Sequence, residues 1–110
     1  MSFSVKKNAI VLTRGDTFKG RVTINNPDGS EYEPQVGDTI RFAMKRDYND
    51  PETLIEKDIP TDTMLLILEP SDTKPYEFGD YVYDIQITKA NGDVDTFITK
   101  SRLTLTEEVK

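Results

Sequence analysis

A chain of 110 residues is long enough to enclose one hydrophobic core and too short for two, so a single domain over residues 1–110 is expected. It contains no cysteine and no histidine, which together exclude disulfides, thiol nucleophiles, imidazole bases and the commonest zinc ligands. Its 20 acidic and 14 basic residues give a formal charge of -6, which disfavours general binding to nucleic acid or to an anionic membrane.

Apolar and polar residues alternate at every second position along most of the chain, and no window of helical length repeats at 3.6, so strands are expected throughout. Asn8 to Thr13 reads as a first strand. It ends at Arg14-Gly15-Asp16, where Gly15 can take a positive φ. Phe18, Val22 and Ile24 then share one phase of a half-buried second strand, with Lys19, Arg21 and Thr23 on the other. Asn25-Asn26-Pro27-Asp28-Gly29-Ser30 is a dense turn signal.

Asp38 to Arg46 forms the next strand, with Ile40, Phe42 and Met44 inward and Thr39, Arg41, Ala43 and Lys45 outward. Thr53 to Asp58 is a short edge strand. Thr63 to Glu69 follows with Met64, Leu66 and Leu68 on one side and Leu65 and Ile67 on the other, so it is apolar on both faces. Pro70 stops that strand, and the segment to Pro75 is expected to cross between sheets through a short helical turn.

Tyr81, Tyr83, Ile85 and Ile87 alternate with Val82, Asp84, Gln86 and Thr88 in the clearest strand of the chain. Ala90-Asn91-Gly92-Asp93 predicts a two-residue hairpin, because Asn-Gly tolerates the two positive φ values of a type I′ turn. That turn would pair Ile87 with Thr96, Gln86 with Phe97 and Ile85 with Ile98, sending Phe97 away from the core. Leu103 and Leu105 have the opposite phase, so a bulge within Thr99 to Arg102 is needed to turn them inward.

Seven or eight short strands point to a sandwich or a small barrel. Glu77-Phe78-Gly79-Asp80-Tyr81-Val82-Tyr83 resembles the tyrosine corner of immunoglobulin domains, with Tyr83 where a cysteine would stand. The fold class expected is therefore all-β, an immunoglobulin-like antiparallel β-sandwich. The resemblance makes Gly79 and Tyr81 a structural corner in which the Tyr81 hydroxyl bonds backbone a few residues upstream. Residues 1–46 carry eight basic and five acidic side chains and residues 47–110 carry six and fifteen, +3 against -9. Interleaved strands would bring these charges together, with Arg41 or Lys45 meeting Asp84.

Carboxylates are abundant, but catalysis needs a buried, paired constellation, and none stands out, so enzymatic function is not expected. Asp47-Tyr48-Asn49-Asp50-Pro51-Glu52 gathers polar side chains without the Gly and distal Glu of an EF-hand loop, and a plain polar turn is favoured over a calcium site. Arg14-Gly15-Asp16 spells an adhesion tripeptide, but a strand-ending turn is the better reading. No cofactor is expected. Val82 and Phe97 on one sheet, and Leu65 and Ile67 behind another strand, read equally as local packing or as an interface.

Leu12-Thr13-Arg14-Gly15-Asp16-Thr17, Gly37-Asp38-Thr39-Ile40-Arg41-Phe42-Ala43-Met44-Lys45 and Gly79-Asp80-Tyr81-Val82-Tyr83-Asp84-Ile85-Gln86 together resemble the small immunoglobulin-like structural proteins of phages and prophages of Gram-positive bacteria. They are similar as well to the N-terminal domain of the baseplate upper protein. The resemblance runs from about Asn8 to Leu105. It implies a virion assembly or docking module whose partners are other phage structural proteins or further copies of itself, in a baseplate, tail or head decoration. It assigns no functional residue.

No stretch approaches the about 20 apolar residues of a membrane span and no leader pattern opens the chain, so a cytoplasmic protein later built into a virion is expected, with no membrane or nucleic-acid partner. The alternative reading is a carbohydrate-binding β-sandwich module using Tyr32, Tyr48 and Tyr76.

Overall fold

The computed structural model describes residues 3–6, 9–26 and 28–107, with side chains omitted from the description at 3–6 and 97–100. Among these the chain is nearly all β. The strands are β1 (Phe3–Lys6), β2 (Ala9–Thr13), β3 (Phe18–Arg21), β4 (Thr39–Lys45), β5 (Ile55–Ile59), β6 (Leu65–Leu68), β7 (Gly79–Thr88) and β8 (Val94–Thr106). One helical turn, α1 (Pro70–Thr73), joins β6 to β7.

Six strands form one sheet in the order β1-β2-β8-β7-β4-β5, and β3 and β6 form a second. Pairing is antiparallel except between β2 and β8, which run parallel with Ile10 beside Leu103 and Leu12 beside Leu105. That pair departs from the wholly antiparallel expectation. Strand β1, which the sequence reading did not single out, pairs Phe3 with Leu12 and Lys6 with Ala9.

The inward phases meet in one core. Ile10 and Leu12 (β2), Ile40, Phe42 and Met44 (β4), Tyr81, Tyr83, Ile85 and Ile87 (β7), and Leu103 and Leu105 (β8) pack against Phe18, Leu66 and Leu68 of the smaller sheet. A strand with one buried face places its apolar residues at spacing two, and these strands all follow it. The Phe42 and Tyr83 rings lie 5.2 Å apart at its centre. Gly20 is part of this packing, because a Cβ there would come within 2.6 Å of the Phe18 ring.

The β7–β8 hairpin differs from the two-residue turn. Lys89 N–H donates to the Asp93 carbonyl and Gly92 N–H to that of Lys89, so Ala90, Asn91 and Gly92 make a three-residue connection. Gly92 sits at φ 96, whereas Asn91 does not take a positive φ and uses its Oδ1 to accept the Asp93 N–H at 2.9 Å. One positive φ suffices for this turn, while type I′ needs two. Gln86 consequently pairs with Thr96, and Ile87 with Asp95.

A bulge then restores the expected Ile85–Ile98 pair, and a second between Ile98 and Ser101 sets Leu103 opposite Tyr81. The second bulge is the device the Leu103 and Leu105 phases require. Strand β5 begins two residues later than expected, since Ile55 and Ile59 are its buried positions and pair with Met44 and Ile40.

Candidate docking faces

The two sheets each turn one face outward. On the smaller sheet, Leu65 is half-buried and Ile67 is 37% exposed. Register places Arg21 beside Leu65 and Lys19 beside Ile67, so two apolar side chains on β6 lie next to two basic ones on β3. Arg21 is held toward Glu31 at 3.3 Å. Neither strand has another strand hydrogen-bonded to it among the described residues, which leaves both edges of this sheet open.

On the larger sheet, Val82 is half-buried on the outer face of β7, opposite Arg102 of β8 and Lys45 of β4. The Phe97 side chain lies outside the described residues, and its strand position falls between the Ile85–Ile98 and Gln86–Thr96 pairs, not opposite Gln86. The expected Gln86–Phe97 pair is thus not formed. Among the described residues, Val82 lies with Ala43, Tyr48, Lys45 and Asp84 around a depression of about 80 Å³. Tyr48, in the loop after β4, is 42% exposed, and Val11 of β2 is 40% exposed on the same side of the sheet. The alternation of Ile10, Val11 and Leu12 carried the signal for Val11; nothing in the loop sequence placed Tyr48 over β7.

Charge pairing across this face narrows one expectation. Of the two cations expected near Asp84, Arg41 instead reaches β5, with Nη2 3.3 Å from Asp58 Oδ1 and Nη1 3.6 Å from Glu56 Oε2, while the Lys45 charge does act on Asp84. Asp84 stands beside Ala43 in the pairing of β4 with β7. Burial raises its carboxyl pKa, and the charge of Lys45 partly offsets that rise.

At the corner before β7, Gly79 has φ 134, a value that disfavours any side chain. The Tyr81 ring is buried and its hydroxyl donates to the Glu77 carbonyl at 2.7 Å. The Tyr76 ring meets it edge-on at 6.4 Å, and the Arg46 guanidinium covers it at 5.0 Å. Tyr76 in turn donates its hydroxyl to the Leu54 carbonyl at 2.6 Å. These contacts tie the loop after β4 to the start of β7.

Arg14-Gly15-Asp16 is anchored rather than displayed. Gly15 N–H donates to the buried Thr73 Oγ1 at 2.9 Å, Arg14 donates to the Tyr76 carbonyl at 3.3 Å, and its guanidinium lies 4.6 Å over the Phe78 ring. Tyr32 is committed to Asp38 through a 2.6 Å hydrogen bond. Of the three tyrosines considered for sugar binding, Tyr48 is therefore the exposed ring. Among the described residues no three acidic side chains converge in a way that could hold a metal ion, and no helix is long and apolar enough to cross a membrane. No family model, no curated protein and no solved structure matches the chain.

Proposed function

We propose that this chain is an immunoglobulin-like sandwich that serves, without catalysis or cofactor, as an assembly or docking module in a phage or prophage particle. The strand distribution supports the fold: with β2 counted as the first strand, the third, sixth and seventh share one sheet and the second and fifth the other. The hydrogen bond from Tyr81 to Glu77 supports the tyrosine corner. The arrangement departs from the constant-type domain in placing its first strand beside the seventh and its fourth beside the third.

The observation that carries the docking role is the outer face of the smaller sheet, where Leu65 and Ile67 stand between two open edges. An apolar pair at a sheet edge suits a partner that adds a strand or covers the face. The test is co-expression with the structural proteins encoded beside this one. A stable complex is expected, and Leu65→Glu with Ile67→Glu should weaken it at least tenfold while a charge at the fully exposed Val36 leaves it intact. Unchanged association of the double variant, or no partner among the particle proteins, overturns the reading. Heat on titration with cell-wall polysaccharide would replace it with the sugar-binding alternative.

A further inference from the structure

The outer face of the larger sheet carries its charges in rows. Glu56 and Asp58 lie on β5, Arg41 and Lys45 on β4, Asp80 and Asp84 on β7, and Arg102 on β8. In strand order, the signs run acidic, basic, acidic, basic. Each residue lies on the outward phase of its strand, because the intervening Ile40, Phe42, Met44, Tyr81, Tyr83, Ile85, Leu103 and Leu105 are buried. At the middle of the pattern Ala43, Val82 and the Tyr48 ring surround the 80 Å³ depression together with Lys45 and Asp84.

This order has a symmetry property. A twofold axis lying in the plane of the face, parallel to the strands and midway between β4 and β7, brings β4 over β7 of another copy and β5 over β8. The β4 and β7 rows of opposite sign then meet, and Arg102 of β8 comes nearest Glu56 of β5, two register positions along. Lys45 falls over Val82 of the second copy, between its Asp80 and Asp84, since Lys45 and Val82 share a register position. An axis perpendicular to the strands would instead set each row on its own copy and repel. Isologous contact by a self-complementary patch is the commonest form of homo-oligomer.

We infer that the outer face of the six-stranded sheet is a docking surface for a second copy of this chain, in the strand-aligned orientation that sets its acidic rows on basic ones. The four strands that overlap, at about 4.8 Å spacing with about seven residues each at about 3.3 Å rise, present on the order of 450 Å². That is below the about 600–1,000 Å² per partner of standard interfaces, so the contact is a weak one whose dimer forms at high protein concentration. The ion pairs within the chain do not consume the pattern, because Arg41, Glu56 and Asp58 remain more than half exposed. This surface is distinct from the Leu65 and Ile67 face, and the inference does not depend on the docking role.

A charge-swap experiment tests it. One variant, Lys45→Glu with Arg102→Glu, makes acidic three of the four rows and leaves Arg41 alone. The other, Asp80→Lys with Asp84→Lys, makes basic the middle and one flank. Sedimentation velocity over about 1 μM to 1 mM should show a dimer for the parent, near-monomer for each variant, and a heterodimer when the two are mixed. Circular dichroism establishes that each variant is folded, and the single changes Lys45→Glu and Asp84→Lys replace a double that is not. The parent dimer should weaken at least tenfold between low and about 1 M salt, where the Debye length falls to about 3 Å. Leu65→Glu should leave it unchanged. A parent that stays monomeric, variants that dimerise alone, folded variants that fail to pair when mixed, or a dimer abolished by Leu65→Glu each overturn the inference.

Discussion

Tyr81 shows how one side chain can hold two parts of the fold. Its ring is buried in the core while its hydroxyl closes the corner on Glu77, and Tyr76 and Arg46 cover two of its sides. Tyr81→Phe keeps the ring and removes only the hydrogen bond, so it should cost about 1 kcal/mol, the usual net worth of such a bond. Equilibrium urea denaturation should show a lower midpoint with an unchanged slope. A loss near zero would mean that the corner is held by packing alone. This residue was legible in the sequence, because acidic-x-Gly-x-Tyr is a local spacing. Its neighbours were not: Arg46 approaches it from the loop after β4, far away in the chain, and no local spacing signalled the edge-on contact of Tyr76.

At the scale of elements, strand phases were readable throughout, whereas strand partners were readable only where a hairpin turn or the fold resemblance named them. Alternation in Thr39–Lys45 and Gly79–Thr88 identifies which side chains go inward, but carries no address for the strand alongside. Hence, of the two cations expected to meet Asp84, Arg41 turns to β5 while the Lys45 charge acts on Asp84, and the parallel β2–β8 pair had no sequence signal. The hairpin depended on a single torsion: with Asn91 outside the positive-φ region the turn takes three residues and Phe97 loses its expected partner.

The loop before β4 is joined to this hairpin by Asp38, which gives a pH-dependent prediction at the same scale. The Tyr32 hydroxyl, the Gln35 and Ala90 backbone groups and the Lys89 charge all favour its carboxylate, and its pKa is lowered from 3.8. A folded-state pKa below the unfolded value stabilises the fold above the unfolded pKa, and that stabilisation is lost as pH falls through the folded value. Asp38→Asn should therefore lower Tm near neutral pH, with the difference from the parent shrinking below about pH 3.8. Melts at both pH values check it, and a difference that does not depend on pH would assign the effect to loop geometry.

The whole molecule is uneven, with six strands facing two, and its cohesion rests on whether the smaller sheet belongs to the same core. Several links argue that it does. Phe18, Leu66 and Leu68 lie in the one cluster of buried residues, and Lys57 of β5 meets Asp72 of α1 at 2.9 Å. Asp72 also accepts the N–H of Glu69 at 2.7 Å, so the segment leaving β6 is fastened to the edge of the other sheet. Thr73, next in the turn, holds Gly15 between β2 and β3. Truncating a fully buried leucine removes its transfer energy and leaves a cavity, at about 2–5 kcal/mol. Leu68→Ala should lower global stability by that amount while unfolding stays a single transition, coincident by far-UV circular dichroism and tyrosine fluorescence. Two separated transitions, with the six-stranded sheet surviving the first, would mean that the smaller sheet is an independently melting cover, and the Leu65 and Ile67 face would then be presented by the least stable part of the molecule.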